Sequence, residues 1–382
     1  MTLKTDLKLF KPQKTNVNPY LEYKLLENPF PGYSHIPTDV CTDQETAKAK
    51  FVQRLKEFDT SDKCLRINGL SGAGKTNILH YFKRLTDQAK VEGYIQNIYP
   101  IYALASGEDY LALHEQVIEQ LLERTFDEFI SSLRSNTQQI ETLKTLFPTA
   151  AEVLDVTQTF FGFGGLLFYN LERNKDIFQR WFKGQKSSPQ DKRVLGINQD
   201  IGSASLAIRY LKGYLDILKH LSICYGVILL IDEFEQIFVS IPRAKQSRYA
   251  QDIRHLIDAL ESQVLFVFAT TPEPGDLSKY PAVERRMGEI IGLEPIENID
   301  QARKYIIDYL KAGREAYEQE KEIKLKPSER EDILPLSEDI IRQVYEKIKQ
   351  QIGDKDVLPG YFLPEMRQVF KELVENGNGK SK

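Results

Sequence analysis

The sequence predicts an α/β chain, a three-layer sandwich around a five-stranded parallel sheet, with a helical insertion and an all-helical C-terminal part. Three observations predict it. Five short apolar runs, at 64–68, 98–104, 227–231, 264–269 and 289–293, alternate with stretches of helical periodicity, as parallel strands do with their crossover helices. Two of them, VILLI and VLFVFA, are almost wholly apolar, as strands covered on both faces must be. After Pro295 only helical patterns continue.

Taken in order, residues 1–40 contain Pro12, Pro19, Pro29, Pro31 and Pro37 and no sustained period, which predicts an extended arm wrapping a partner or its own domain. Its first residues carry Lys4, Lys8, Lys11 and Lys14 against Asp6 alone. They read either as a solvated tail or as an arm touching phosphates or another subunit. A helix is expected from Thr42, where T-x-x-E with Glu45 spells a capping box, and Phe51, Val52, Leu55 and Phe58 share a face. About 120 residues separate the second and third runs, where a simple crossover needs about a dozen. The excess, 108–199, is expected to be a largely helical insertion, with an apolar stretch at 160–169. The domain frame is then the arm 1–40, a sheet domain 41–294, a helical domain 295–375 and a disordered tail 376–382. Within the helical domain, 299–310, 337–352 and 363–374 are amphipathic.

The chain has 382 residues, with 51 Lys and Arg against 55 Asp and Glu, a formal net charge of -4. That balance excludes a generally basic nucleic-acid coat but not a local basic patch. No apolar run reaches the ~20 residues of a membrane span, and the N-terminus lacks the apolar stretch of a secretory signal, so a cytoplasmic location without a membrane partner is expected. Cys41, Cys64 and Cys224 are too few and too far apart for a disulfide framework or a zinc cluster.

Residues 69–76, GLSGAGKT, fit G-x-x-x-x-G-K-[ST] between a strand and a helix. Gly69, Ser71, Gly72, Ala73, Gly74 and Asn77 would turn backbone N–H groups and the helix start toward phosphate oxygens. Lys75 can reach the β- and γ-phosphates, and the Thr76 hydroxyl can ligate Mg²⁺. The third run ends in Asp232 and Glu233, where a parallel sheet also delivers the phosphate loop. Asp232 would hold Mg²⁺ and Glu233 would act as general base on the attacking water. Thr270, ending the fourth run, either orients that water or satisfies a strand-end N–H. Asn174-Lys175-Asp176 has its acid one residue early for guanine reading, so ATP is the expected nucleotide.

Together these residues resemble the AAA+ P-loop ATPases of the origin-recognition and initiator branch. GLSGAGKT resembles their Walker A motif, VILLIDE their Walker B, and Ala269-Thr270-Thr271 their sensor 1. The segment from Tyr280 to Arg286 is similar to the one carrying their arginine finger, with Arg286 the nearest match and Arg285 beside it. The all-helical C-terminal part resembles their lid. There Gly360, Pro364 and Arg367 resemble the nucleotide-contacting sensor 2 region, with Pro-Arg spread into Pro-Glu-Met-Arg. The stretch from Phe178 to Gly184, then Arg193 to Ile197, then a helix into the Walker B strand, is similar to ATP-binding proteins of BREX-type phage-defence systems and suits ATPase regulators of transposition. The resemblance implies a homo-oligomeric ATPase working with DNA-associated partners. The alternative is a slowly hydrolysing switch that signals to a nuclease, transposase or other effector.

One local patch bears on DNA. Residues 171–195 carry seven Lys or Arg (Arg173, Lys175, Arg180, Lys183, Lys186, Lys192, Arg193) against three acids, interleaved with Phe178, Trp181 and Phe182. This is either a phosphate- and base-contacting surface or a solvated face whose aromatics anchor the insertion. His80, His114, His220 and His255 show no ligand spacing.

Overall fold

The computed structural model describes residues 18–32, 40–60, 63–105, 109–135, 139–161, 171–239, 241–272 and 277–377. The basic residues at 4–14, the stretch 162–170 and the tail 378–382 lie outside them. Contacts divide the chain into two units, one of 44–71 and 75–293, the other of the remaining described residues.

The first unit holds helix α1 (Glu45–Lys56), strand β1 (Cys64–Asn68), α2 (Lys75–Val91), β2 (Ile98–Leu104) and α3 (Tyr110–Ser135). Four shorter helices follow, α4 (Gln139–Leu146), α5 (Ala151–Phe161), α6 (Leu171–Phe182) and α7 (Pro189–Leu195). Then come α8 (Ala204–His220), β3 (Gly226–Asp232), α9 (Gln236–Val239), α10 (Arg243–Leu260), β4 (Val264–Thr270), α11 (Pro281–Glu284) and β5 (Glu289–Gly292). The strands form one parallel sheet in the order β2-β3-β4-β1-β5. Every residue of β3 and β4 is buried, as their unbroken apolar runs require of central strands.

The two edges are finished differently. On β2 the amides of Gln116 and Gln120, on α3, do what a sixth strand would do. Leu104 N–H donates to Gln116 Oε1 at 2.9 Å and Gln116 Nε2 donates back to Leu104 O at 3.0 Å. Gln120 brackets Tyr102 the same way, at 3.3 and 2.6 Å. Outward-facing groups alternate along a strand, so Pro100, of the same parity as Tyr102 and Leu104, points its missing N–H outward. At the other edge Ile290 of β5 is 52% exposed, and Glu289 pairs with Lys50 and Arg54 at 3.2 and 3.6 Å.

Phe51, Leu55 and Phe58 of the α1 region are buried, with Phe51 stacked on Phe82 of α2 at 4.0 Å. The expected capping box does not form. Gln44 occupies the N-cap position at φ 62° without a side-chain cap bond, and the Thr42 hydroxyl donates instead to Asp308 Oδ2 at 2.8 Å. Between β2 and β3 the helices pack around Phe178, Trp181, Phe182 and Tyr214, all at most 1% exposed. His114 is buried in this core against the Phe182 carbonyl, 2.9 Å away, and burial pushes its pKa down to about 4. Of the four histidines without ligand spacing, this one is a neutral core residue.

The second unit contains α12 (Ile299–Lys321), α13 (Pro327–Arg330), α14 (Glu338–Ile352) and α15 (Pro359–Gly377). Ser337 caps α14 by accepting from Ile340 N–H, and Asn298 caps α12 by accepting from Gln301 N–H. Arm residues Leu25 and Phe30 are fully buried in this unit's core beside Tyr309, Met366 and Phe370. Arg314, 2% exposed, donates to the carbonyls of Tyr23, Arg330, Asp332 and Leu334 and so pins the arm. The described part of the arm therefore wraps its own chain.

Candidate nucleotide site

Parallel pairing brings four strand ends together. Asn68 pairs in register with Thr270, and Leu104 with Asp232, so β1, β2, β3 and β4 all finish at one edge. The phosphate loop leaves β1 there, with Gly69 N–H donating to Thr270 O at 3.1 Å. Gly72 and Gly74 adopt φ of 85° and 94°, a region that favours residues without a Cβ. Residues 72–74 group with the helical unit, where Gly360 N–H donates to Gly72 O at 2.9 Å. A Cβ at position 360 would lie 2.7 Å from Gly72 Cα, so only glycine allows this approach. Ala73 is buried, Ser71 is exposed, and Thr76 and Asn77 are half-buried in the first turn of α2.

Lys75 folds back on its own loop, donating to Gly69 O at 2.8 Å and Leu70 O at 3.3 Å. Burial lowers its pKa, while Glu235, Asp232 and Glu233 oppose that in decreasing order. Asp232 is 2% exposed, and neutral donors hold both of its oxygens. Tyr102 OH donates to Oδ2 at 2.8 Å and Glu233 N–H to Oδ1 at 2.8 Å. Glu233 is exposed at φ 52°, so the chain turns sharply where the strand ends. Thr270, 2% exposed, donates its hydroxyl to Asn68 Oδ1 at 3.2 Å. Lys75, Asp232, Glu233 and Thr270 thus share the sheet edge with the glycine loop.

Sequence reasoning passed over Tyr102, Asn68 and Glu235. Glu235 Oε2 is sealed from solvent with no hydrogen-bond donor among the described residues, and burial raises its pKa against the pull of Lys75. The signal for Tyr102 was a phenol beside the acid-tipped strand, usable only once strand order was known.

The two arginines differ. Arg286 is tied by Nε to the Asp258 carboxylate and by Nη1 to Ala282 O at 2.9 Å. Arg285 is exposed and donates from Nε to Pro281 O at 3.2 Å. Arg367 donates to the carbonyl of arm residue Phe30. Asn28 closes that loop, donating to Arg367 O at 3.0 Å and accepting from Phe30 N–H at 3.1 Å. In the basic stretch 171–195, Phe178, Trp181 and Phe182 are core residues and so are not available for base stacking. Lys175, Arg180, Lys183 and Lys192 pair with Asp127, Asp176, Glu119 and Asp200 at 2.6–3.0 Å, while Lys186 and Arg193 are exposed. Of the two readings of this stretch, the burial of its rings fits the one in which they anchor the insertion. Among the described residues there is no group of three or more potential metal ligands from His, Cys, Asp and Glu, and no helix long and apolar enough to cross a membrane.

A glycine loop between β1 and α2, an acid pair ending β3 and the parallel sheet order β2-β3-β4-β1-β5 define a protein of the P-loop nucleotide-binding class. The family model of the BREX system ATP-binding proteins BrxC/D matches residues 169–380, more than half of the chain, and the chain belongs to that family. The match takes in the acid pair, Thr270, both arginines and helices α12 to α15, but not the glycine loop. Solved structures similar to the chain include the Aeropyrum pernix ORC2 protein in ADPNP-ADP complexes, at 12% identity over 91% of this chain and 71% of that one, TM-score 0.44. The A. pernix ORC1 protein in complex with DNA is similar at 14% identity over 93% and 71%, TM-score 0.42. AMPPCP-bound DnaA from Aquifex aeolicus is similar at 13% over 91% and 70%, TM-score 0.31. No curated protein sequence matches the chain.

Proposed function

We propose that this protein hydrolyses Mg-ATP as an oligomer and acts with DNA-associated partners in phage defence. The observation that carries the hydrolytic reading is the shared sheet edge, where Asp232 is held by neutral donors beside Lys75, Glu233 and Thr270. The donor set suits Mg²⁺. Asp232 and Thr76 offer hard oxygens, and each Asp232 oxygen has one internal partner, so lone pairs remain for the metal or its waters. Bound there, the metal would neutralise charge developing on the phosphates.

In this reading Lys75 leaves the loop carbonyls and engages the β- and γ-phosphates, while the N–H groups of 69–77 cradle them. Glu233, exposed on its left-handed turn, takes the proton of the attacking water, and Thr270 with Asn68 orients that water. Arg367, the sensor 2 candidate, is assigned a nucleotide-binding role in which it would leave the Phe30 carbonyl. An arginine of the 285–286 pair, supplied by a neighbouring subunit, completes the site, and such a residue is worth about 10³–10⁵ in rate.

Turnover per subunit should rise with protein concentration, with added DNA, or with both. Concentration-independent turnover that ignores both arginine substitutions would overturn the trans arrangement. One observation favours a second reading, the slowly hydrolysing switch: Arg286 is already paired within its own chain, with Asp258. Glu233→Gln separates the two in a phage-protection assay. A motor loses function with ATP bound, whereas a switch stays on.

A further inference from the structure

We propose that Tyr102 is a positioning residue for Asp232, and that through it the helical insertion sets the geometry of the metal site. The inference rests on the reading of Asp232 as the Mg²⁺ carboxylate. Tyr102 sits on the edge strand β2, next to β3, and its hydroxyl donates to Asp232 Oδ2 at 2.8 Å. With Glu233 N–H on Oδ1, both carboxylate oxygens are held and the plane of the group is fixed. Neither donor carries charge, so the carboxylate is oriented without being neutralised. A hydrogen bond to an ionised acceptor is about twice as strong as a neutral one.

Tyr102 is itself held from two sides. Its N–H and C=O both bond the Gln120 amide of α3, so the backbone under the phenol moves only with that helix. Its ring lies 4.3 Å from the His80 ring on α2, the helix whose first turn carries Thr76. One residue therefore joins the helix of one proposed metal oxygen to the strand of the other, and both to the first helix of the insertion. Tyr102 is half-buried, and the acceptor its hydroxyl takes is the acid at the phosphate site.

Outer partners of metal ligands typically cost about 10–100-fold in metal affinity when removed. The test uses the full chain, a fluorescent ATP analogue and a Mg²⁺ titration of its binding, so no turnover is needed. Tyr102→Phe keeps the ring and its packing on His80 but removes the donor. The Mg²⁺ midpoint should move upward by about 10-fold or more, with metal-free binding in EDTA unchanged. Tyr214→Phe removes a hydroxyl buried elsewhere in the core, 3.0 Å from Thr125 Oγ1, and should leave the midpoint where it is even if it lowers the melting temperature. A wild-type Mg²⁺ midpoint that Tyr102→Phe leaves unmoved, or that Tyr214→Phe moves equally, overturns the inference alone. A wild type whose nucleotide binding ignores Mg²⁺ overturns the reading of Asp232 and the inference with it.

Discussion

Asp232 and Arg286 are both charged groups bonded within their own chain, and the way they are bonded separates two regions of the molecule. Asp232 meets a phenol and a backbone N–H, which aim the carboxylate while leaving its charge intact. Arg286 meets the Asp258 carboxylate, an oppositely charged partner that it shares with Arg254 at 3.6 Å. The strand-end region is thus organised in advance for a cation, whereas the arginine segment reaches a phosphate only after leaving a local partner. Arg285, exposed with a carbonyl as partner, has less to give up.

The comparison can be broken at several points. Glu233→Gln should lower ATP turnover by up to about 10⁴-fold while leaving nucleotide affinity near wild type, since it removes the base and keeps the shape. A parallel loss of affinity, read with a fluorescent nucleotide, would move Glu233 from chemistry to binding. Next come the arginines. Arg285→Ala should cost about 10³-fold in turnover at high protein concentration, and Arg286→Ala distinctly less. The reverse ranking would mean that the Asp258 pair opens on assembly. Lys75→Ala should weaken ATP binding by about 100-fold, the loss of charge-assisted bonds worth ~3 kcal/mol, measured by calorimetry. A smaller loss would mean that the loop N–H groups carry the phosphates by themselves. The smallest effect concerns DNA. Reversing both exposed cations, Lys186→Glu with Arg193→Glu, should reduce the salt slope of any DNA binding by about 2 at most. A larger drop would mean that the paired lysines of the insertion release their acids to the polymer.

The strands were legible because their neighbours forbid anything else. The VILLI and VLFVFA runs are too apolar for a surface and are closed by acids or threonines at the site. The order of the strands was not legible, and with it went Tyr102, whose meaning depends on lying beside β3. Local signals failed where a distant group outbid them. The Thr42 capping box lost its hydroxyl to Asp308, far away in the chain. Phe178, Trp181 and Phe182 have a spacing that suits a helix face either way, and only the partners arriving from α3 and α8 decide that it is inward.

The glutamine amides along β2 carry one more consequence. An unfinished strand invites a second chain to zip onto it, through the main chain and with little regard for sequence. Gln116 and Gln120 occupy those groups at Leu104 and Tyr102, and Pro100 offers no donor beside them. Copies of this protein that crowd together are therefore refused a backbone foothold on the insertion side. On that side, contacts between copies must then be made by side chains, which can be specific and reversible, instead of by a growing ribbon of sheet.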